Sequence, residues 1–125
     1  MKKLIAIALS LVDASAMAAE FADMSVADLK VAITEKKVTV IDVNGSDSFA
    51  AGRVPSAIDF QAKGDSLASV LPADKGALVV AYCGGPSCNA YKAAAKKAAA
   101  LGYTNVKHLS AGISGWKSAG ETLEK

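Results

Sequence analysis

Residues 77–88 read Ala-Leu-Val-Val-Ala-Tyr-Cys-Gly-Gly-Pro-Ser-Cys. The first six residues, Ala77 to Tyr82, are the most apolar run of the chain beyond its N-terminal segment. A short, continuous apolar run bounded by turn residues reads as a strand buried on both faces, which is the habit of parallel sheets. Cys83 to Ser87 is a loop rich in Gly and Pro. It leads into Asn89 to Leu101, an alanine-rich helix with Gly102 as its C-terminal stop. The stretch is therefore strand, tight loop, helix, with a cysteine where the strand ends.

The same alternation extends in both directions. Ser25-Val26-Ala27-Asp28 predicts a helix start, with Ser25 as N-cap and an acid three residues on. Val26, Leu29, Ala32 and Ile33 follow at helical spacing. Val38 to Val43 is a β-branched run that predicts a strand passing into a loop at Asn44 and Gly45. Asp47 to Ala51 predicts a short helix stopped by Gly52, Ala57 to Phe60 a short strand after Pro55, and Ser66 to Leu71 a short helix ended by Pro72. Asn105 to Leu109 is a last strand and Ile113 to Ala119 a last short helix. Strands alternating with helices through short connections give an α/β domain whose mostly parallel sheet is covered by helices on both faces. Ligands of such sheets bind outside the carboxyl ends of the strands, which is where Cys83 lies.

That position makes a cysteine reactive. A thiol attacks only as thiolate, and its ordinary pKa is about 8.5. The positive end of the following helix lowers that value, and a loop that turns its N–H groups inward as an anion nest lowers it further. Gly84 and Gly85 permit the positive φ angles such a nest requires. Pro86 has no N–H, so residues 84–88 offer at most four donors. The same cradle would hold a persulfide anion or a substrate oxyanion. The competing reading of Cys83 is a small buried hydrophobe ending a strand. A phosphate-binding P-loop is excluded because no Gly-Lys-Ser/Thr follows. A cysteine phosphatase would need an arginine at the loop's end to clamp phosphate, where Cys88 and Asn89 stand instead.

With 125 residues the chain fits one domain. Half of it is apolar, and the formal net charge is +2 with scattered lysines, which gives a nucleic-acid partner little support. One His and two closely spaced Cys cannot supply a metal site, and no cofactor is implied. Residues 1–19 differ from the rest. Met1-Lys2-Lys3 is a positive start, Leu4 to Val12 is apolar except for Ser10, and Ala14 to Ala18 twice offers the small-x-small pattern of a cleavage site. This predicts a secretory signal peptide cut near Ala16–Ala19, leaving a domain over residues 20–125 in the periplasm or otherwise exported. Asp13 ends the apolar run too early for a spanning helix, which takes roughly 20 residues, so stable membrane anchoring is not expected. Two cysteines in an exported chain also suggest a disulfide.

Three ordered segments resemble the rhodanese family over roughly residues 25–120. Ile41-Asp42-Val43 followed by Phe49-Ala50-Ala51-Gly52-Arg53-Val54-Pro55-Ser56-Ala57 is similar to its first signature. Val79-Val80-Ala81-Tyr82-Cys83 with the loop is similar to its active-site segment. Leu101-Gly102-Tyr103 through Val106, then Ala111-Gly112-Ile113-Ser114-Gly115-Trp116, is similar to its closing segment. The resemblance implies a single rhodanese-like domain with a five-stranded sheet. It also implies a sulfurtransferase in which Cys83 takes sulfane sulfur as a persulfide and passes it on. The donor would be a small sulfur-containing anion such as thiosulfate, or polysulfide, and the acceptor cyanide, a thiol or a protein. By position, Cys83 is the nucleophile and Gly84, Gly85, Ser87, Cys88 and Asn89 lie on or beside the sulfur-cradling loop. The chain departs from the pattern at several places. Cys88 stands where many members have an arginine, Arg53 replaces the first signature's histidine, Asn44 follows Asp-Val, and Ser56 and Ala111 replace glycines. No guanidinium in the loop holds a sulfonate, and Lys92, one turn into the helix, is the cation at hand.

Several residues carry two readings. Cys88 is either a resolving thiol, able to attack a Cys83 persulfide or seal Cys83 as a disulfide, or a small residue facing the core. Asp42 either orients the loop or makes a turn. Arg53 either guides an anionic donor or pairs with a surface acid. His108 reads as structural, Tyr91 and Lys92 as a border of the pocket, and Ile113 and Trp116 as core. Three functions remain open: persulfide-based sulfur transfer, a Cys83/Cys88 thiol–disulfide redox protein, and a non-catalytic carrier or docking module. The spacing Cys-x4-Cys differs from the Cys-x-x-Cys of thioredoxin-type sites.

Overall fold

The computed structural model describes residues 21–125; the expected signal peptide lies outside the described residues. Five strands form one sheet, β1 (Ala22–Asp23), β2 (Thr39–Asp42), β3 (Ile58–Asp59), β4 (Leu78–Tyr82) and β5 (Asn105–Leu109). Their order across the sheet is β1-β5-β4-β2-β3, and every pairing is parallel. The helices are α1 (Val26–Thr34), α2 (Ser46–Ala51), α3 (Phe60–Lys63), α4 (Leu67–Val70), α5 (Tyr91–Ala100) and α6 (Gly112–Ser118), with a 3-10 turn over Gly64–Ser66.

The strands alternate their side chains between two apolar layers, as the period of two requires. Ile41, Val79 and Ala81 face a cluster built with Leu67 and Leu71 around α4 and with Ala94, Ala95 and Ala98 of α5. Val40, Val80 and Tyr82 face the other layer, closed by Leu29 of α1 and Trp116 of α6. Both faces are thus covered, and Val79 to Tyr82 are fully buried. The alanines of α5 have a packing role, since a row of small side chains lets a helix lie close on a sheet.

Local signals behave as their chemistry requires. Ser25 Oγ accepts the Asp28 N–H at 3.0 Å as the N-cap of α1. Gly102 ends the α5 region at φ +103°. The observed elements depart from the expected ones in several places. α5 begins at Tyr91 rather than Asn89, with Asn89 and Ala90 in the turn that feeds it. The helix expected over 66–71 is the end of a broken helical run from Phe60 to Val70. Strand β1 was not anticipated. It has two residues and exists through its pairing with Lys107 and His108 of β5, which no local pattern encodes. Among the described residues, no helix is long and apolar enough to cross a membrane.

The chain order places a crevice. From β2 the chain passes to the edge strand β3, and from β4 it passes the opposite way to β5. The carboxyl ends of β2 and β4 therefore diverge at a topological switch point, where ligands of such sheets bind. Asp42 and Tyr82 are register partners at that point, and Cys83 is the next residue.

Candidate active site at the end of the central strand

Strand β4 delivers Cys83 to the crevice with only 3% of its surface exposed. Cys83 is joined to Cys88 by a disulfide, with Cα atoms 6.3 Å apart, inside the range that a disulfide spans. The loop between them closes on itself, because Cys88 N–H donates to Gly85 O at 3.1 Å. Gly85-Pro86-Ser87-Cys88 is thus a four-residue turn with proline at its second position, where a φ fixed near −65° fits. Cys83 and Cys88 both pack into the α5-side cluster with Tyr91.

The floor of the loop is the start of α6. Ile113 N–H donates to Cys83 O at 2.9 Å, and Ser114 N–H donates to Gly84 O at 3.0 Å. Because a trans peptide sets its N–H opposite its C=O, the N–H groups of Gly84 and Gly85 point away from α6. The contact depends on Gly112, which sits at φ +65° with its Cα so close that a Cβ would lie 2.5 Å from Gly84 C. No side chain fits there, and the left-handed conformation disfavours one as well. The closing segment was legible in the sequence as a motif, but its bonds to the cysteine loop were not.

The expected nest is not present in this loop. Neither Gly84 nor Gly85 has a positive φ, so the alternating backbone of a nest is not formed in the disulfide-bonded loop. Cys88 N–H is also spent on the turn, which reduces the possible cradle donors from four to three.

Behind the loop lies a buried polar link. Tyr82 OH donates to Asp42 Oδ2 at 2.5 Å and accepts the Val54 N–H at 3.0 Å. Asp42 Oδ1 accepts the Asn44 N–H at 2.7 Å, an Asx turn. Burial pushes the Asp42 carboxyl above its ordinary pKa even though Tyr82 and Asn44 donate to it. Burial and the adjacent Asp42 push the Tyr82 phenol up as well, so it stays a donor. Asp42 therefore makes a turn and anchors Tyr82, and its bonds tie β2, β4 and the segment at Val54 together without touching the cysteine loop.

The remaining candidates separate. Arg53 Nη2 lies 3.4 Å from Glu124 Oε2, its Nη1 donates to Phe49 O, and its guanidinium covers the Phe49 ring at 4.3 Å. Its backbone pairs with Glu124 in both directions. These are the contacts of a clamp on the C-terminal segment rather than of an anion guide. Ser87 and Asn89 are exposed beside the loop, and Lys92 is half-buried one residue into α5. Tyr91 stacks on His108 at 4.1 Å between ring centroids, tilted 11°. His108 is the register partner of Ala81 on the sheet face that also carries the cysteine, and its Nδ1 is buried with no hydrogen-bond partner among the described residues. The sequence pattern did not single out this stack, since an aromatic helix start and a strand histidine meet only across the sheet.

Beyond Asn44 opens a polar cleft of about 330 Å³, lined by Asn44, Gly45, Ser46, Asp47, Ser48 and Gln61. Asn44 Oδ1 stands 3.9 Å from where a Cβ of Gly84 would lie, so the cleft adjoins the cysteine loop at the switch point. Among the described residues no cluster of His, Cys, Asp and Glu has the makings of a metal site.

The profile of the Rhodanese-like domain family matches residues 25–119. No curated protein matches the chain in sequence. Among solved structures, the BH2092 protein from Bacillus halodurans is 25% identical, with a TM-score of 0.65 over 92% of this chain and 85% of that one. A rhodanese-related protein from Thermoplasma volcanium is 23% identical, with a TM-score of 0.64 over 83% of this chain and 98% of that one. The human single-domain sulfurtransferase TSTD1 is 20% identical, with a TM-score of 0.60 over 77% of this chain and 95% of that one.

Proposed function

The chain belongs to the rhodanese-like domain family, and from that premise we propose that it transfers sulfane sulfur through a persulfide on Cys83. The observation that carries the reading is the place of Cys83. It follows the central buried strand at the switch point, with the Gly84 and Gly85 N–H groups turned away from α6. In the reduced protein the Cys83 thiolate attacks the outer sulfur of a donor such as thiosulfate or polysulfide. For thiosulfate, the S–S bond breaks, sulfite leaves with the electron pair, and Cys83 carries the sulfur as a persulfide. A thiol or cyanide then attacks that outer sulfur and restores the thiolate. The loop N–H groups stabilise negative charge on the persulfide. The leader-like residues 1–19 support export of the chain.

The test is thiocyanate formation from thiosulfate or polysulfide and cyanide, after reduction of the protein. Cys83→Ser is expected to abolish it, and full turnover by that variant would sink the proposal.

The disulfide favours a second reading, a thiol–disulfide redox protein. It expects Cys83 and Cys88 to be equally necessary and no sulfur to be retained on the protein. Intact-mass measurement after treatment with donor separates the two: a gained sulfur atom on Cys83 supports transfer, and the loss of two hydrogens without any sulfur turnover supports redox exchange.

A further inference from the structure

We propose that Cys88 discharges the Cys83 persulfide within the chain, releasing the carried sulfur as hydrogen sulfide and leaving the Cys83–Cys88 disulfide. This inference rests on the persulfide reading above and adds an activity to it: reduction of sulfane sulfur to sulfide at the expense of a dithiol.

The geometry points to it in three ways. The structure joins the two sulfurs, with Cα atoms 6.3 Å apart, so Cys88 reaches Cys83 Sγ with the fold intact. The chain has two cysteines in all, so no third thiol competes within the protein. The backbone holds both ends of the loop, through Ile113 and Ser114 on the Cys83 side and the Gly85–Cys88 turn on the other. A nucleophile fixed beside its target gains the large effective concentration of an intramolecular reaction. An external acceptor must instead approach a residue that is 3% exposed.

The same geometry selects the sulfur attacked. The sulfurs bonded in the structure are the two Sγ atoms, so the inner sulfur of the persulfide lies where Cys88 already reaches. The Cys88 thiol loses its proton, and its thiolate attacks Cys83 Sγ. The Cys83 Sγ–Sγ(Cys88) bond forms as the bond from Cys83 Sγ to the outer sulfur breaks. The outer sulfur leaves with the electron pair and takes up a proton as hydrogen sulfide. The sulfane sulfur is reduced by two electrons, and the two cysteines are oxidised. An external dithiol then reduces the bridge by exchange, becoming a disulfide itself and returning both thiols. Until that happens Cys83 has no thiolate, and Gly84 and Gly85 are not in the nest conformation, so the oxidised loop accepts no further sulfur.

The test is a single turnover. Reduced, desalted full-length chain is mixed with one equivalent of thiosulfate, or separately of inorganic polysulfide, with no acceptor. Sulfide released from thiosulfate and intact mass are both followed. The wild-type chain is expected to release about one sulfide per chain and end two hydrogens lighter than its reduced form. Cys88→Ser is expected to keep one added sulfur and lose the sulfide release, and Cys88→Ala to repeat that loss independently of the serine hydroxyl. Addition of cyanide to loaded Cys88→Ser should yield thiocyanate, which shows that transfer through Cys83 stands by itself. A wild-type chain that keeps its persulfide, or a Cys88→Ser chain that releases sulfide at the wild-type rate, overturns the inference while leaving the parent reading in place. If neither protein takes up sulfur and no thiocyanate forms, the parent reading fails and this one with it.

Discussion

Gly112 lies directly beneath Gly84, so close that a Cβ on Gly112 would stand 2.5 Å from the Gly84 carbonyl carbon. Through this approach the first N–H groups of α6 hold the carbonyls of Cys83 and Gly84, which sets the direction of the loop's own N–H groups. Gly112→Ala is expected to incur the left-handed cost of about 1–2 kcal/mol and, in addition, to push the loop off α6. Thermal denaturation and thiocyanate formation should fall together. Gly120→Ala is the control, because Gly120 has φ +78° but nothing within 4 Å of its added Cβ. It should lose stability and keep turnover per folded molecule. Equal loss of turnover in both variants would show that the contact does not position the loop.

Tyr82→Phe removes one hydroxyl that satisfies two buried partners, the Asp42 carboxylate and the Val54 N–H. A buried polar group left without its partner costs roughly 1–3 kcal/mol, so urea denaturation should report a loss of about 2–6 kcal/mol for the two groups. Tyr82 faces the layer opposite Cys83. Sulfur transfer by the protein that remains folded should therefore change little, and a loss of turnover without a loss of stability would contradict this assignment.

The Asp42 carboxyl adds a pH dependence. Burial raises its folded-state pKa above the ordinary value of 3.8, so between 3.8 and the folded value the native state binds more protons than the unfolded one. Linkage then makes this group's contribution to stability fall as pH rises through that window. Asp23 acts in the opposite sense. Its slight burial raises the pKa, but hydrogen bonds with Ser110, the nearby His108 and the Met24 backbone together hold it below 3.8, so its contribution is lost as pH falls. Asp42→Asn abolishes only the first effect. Denaturation at a series of pH values should show the stability of wild type relative to Asp42→Asn declining as pH rises above 3.8; a difference that stays flat refutes the burial account.

The disulfide closes a loop with a sequence separation of 5, for which chain entropy gives roughly 2 kcal/mol of stabilisation. Cys88→Ser should thus unfold more readily than wild type without reductant, and the gap should close when a dithiol is present. A gap that persists under reducing conditions would assign the effect to packing of the Cys88 side chain.

Arg53 distinguishes an anion guide from a clamp. Its partly exposed ion pair with Glu124 is of the class worth about 0–1 kcal/mol. Arg53→Ala is expected to lower stability by that order, loosen the C-terminal segment, and leave the KM for thiosulfate unchanged. A several-fold rise in KM would return Arg53 to the donor's path.

Much of the molecule was legible from the chain alone because the signals are local. The apolar run ending at Tyr82, the Ser25 cap, the Gly102 stop and the alanines of α5 each act within a turn or a strand. Together they place a cysteine at the end of a buried parallel strand. The rest depends on residues far apart in sequence. Strand β1 exists only against β5, Gly112 matters only because it meets Gly84, and Asp42 becomes a buried anchor only when Tyr82 arrives opposite it. Periodicity and turn chemistry specify a strand and a following helix, and so put Cys83 at the strand's end without any long-range information. What surrounds Cys83 comes from the packing of segments far apart in the chain. The start of α6 forms the floor, Asn44 opens onto a cleft, and Cys88 bonds to Cys83, because close approach, register and burial arise when distant segments pack.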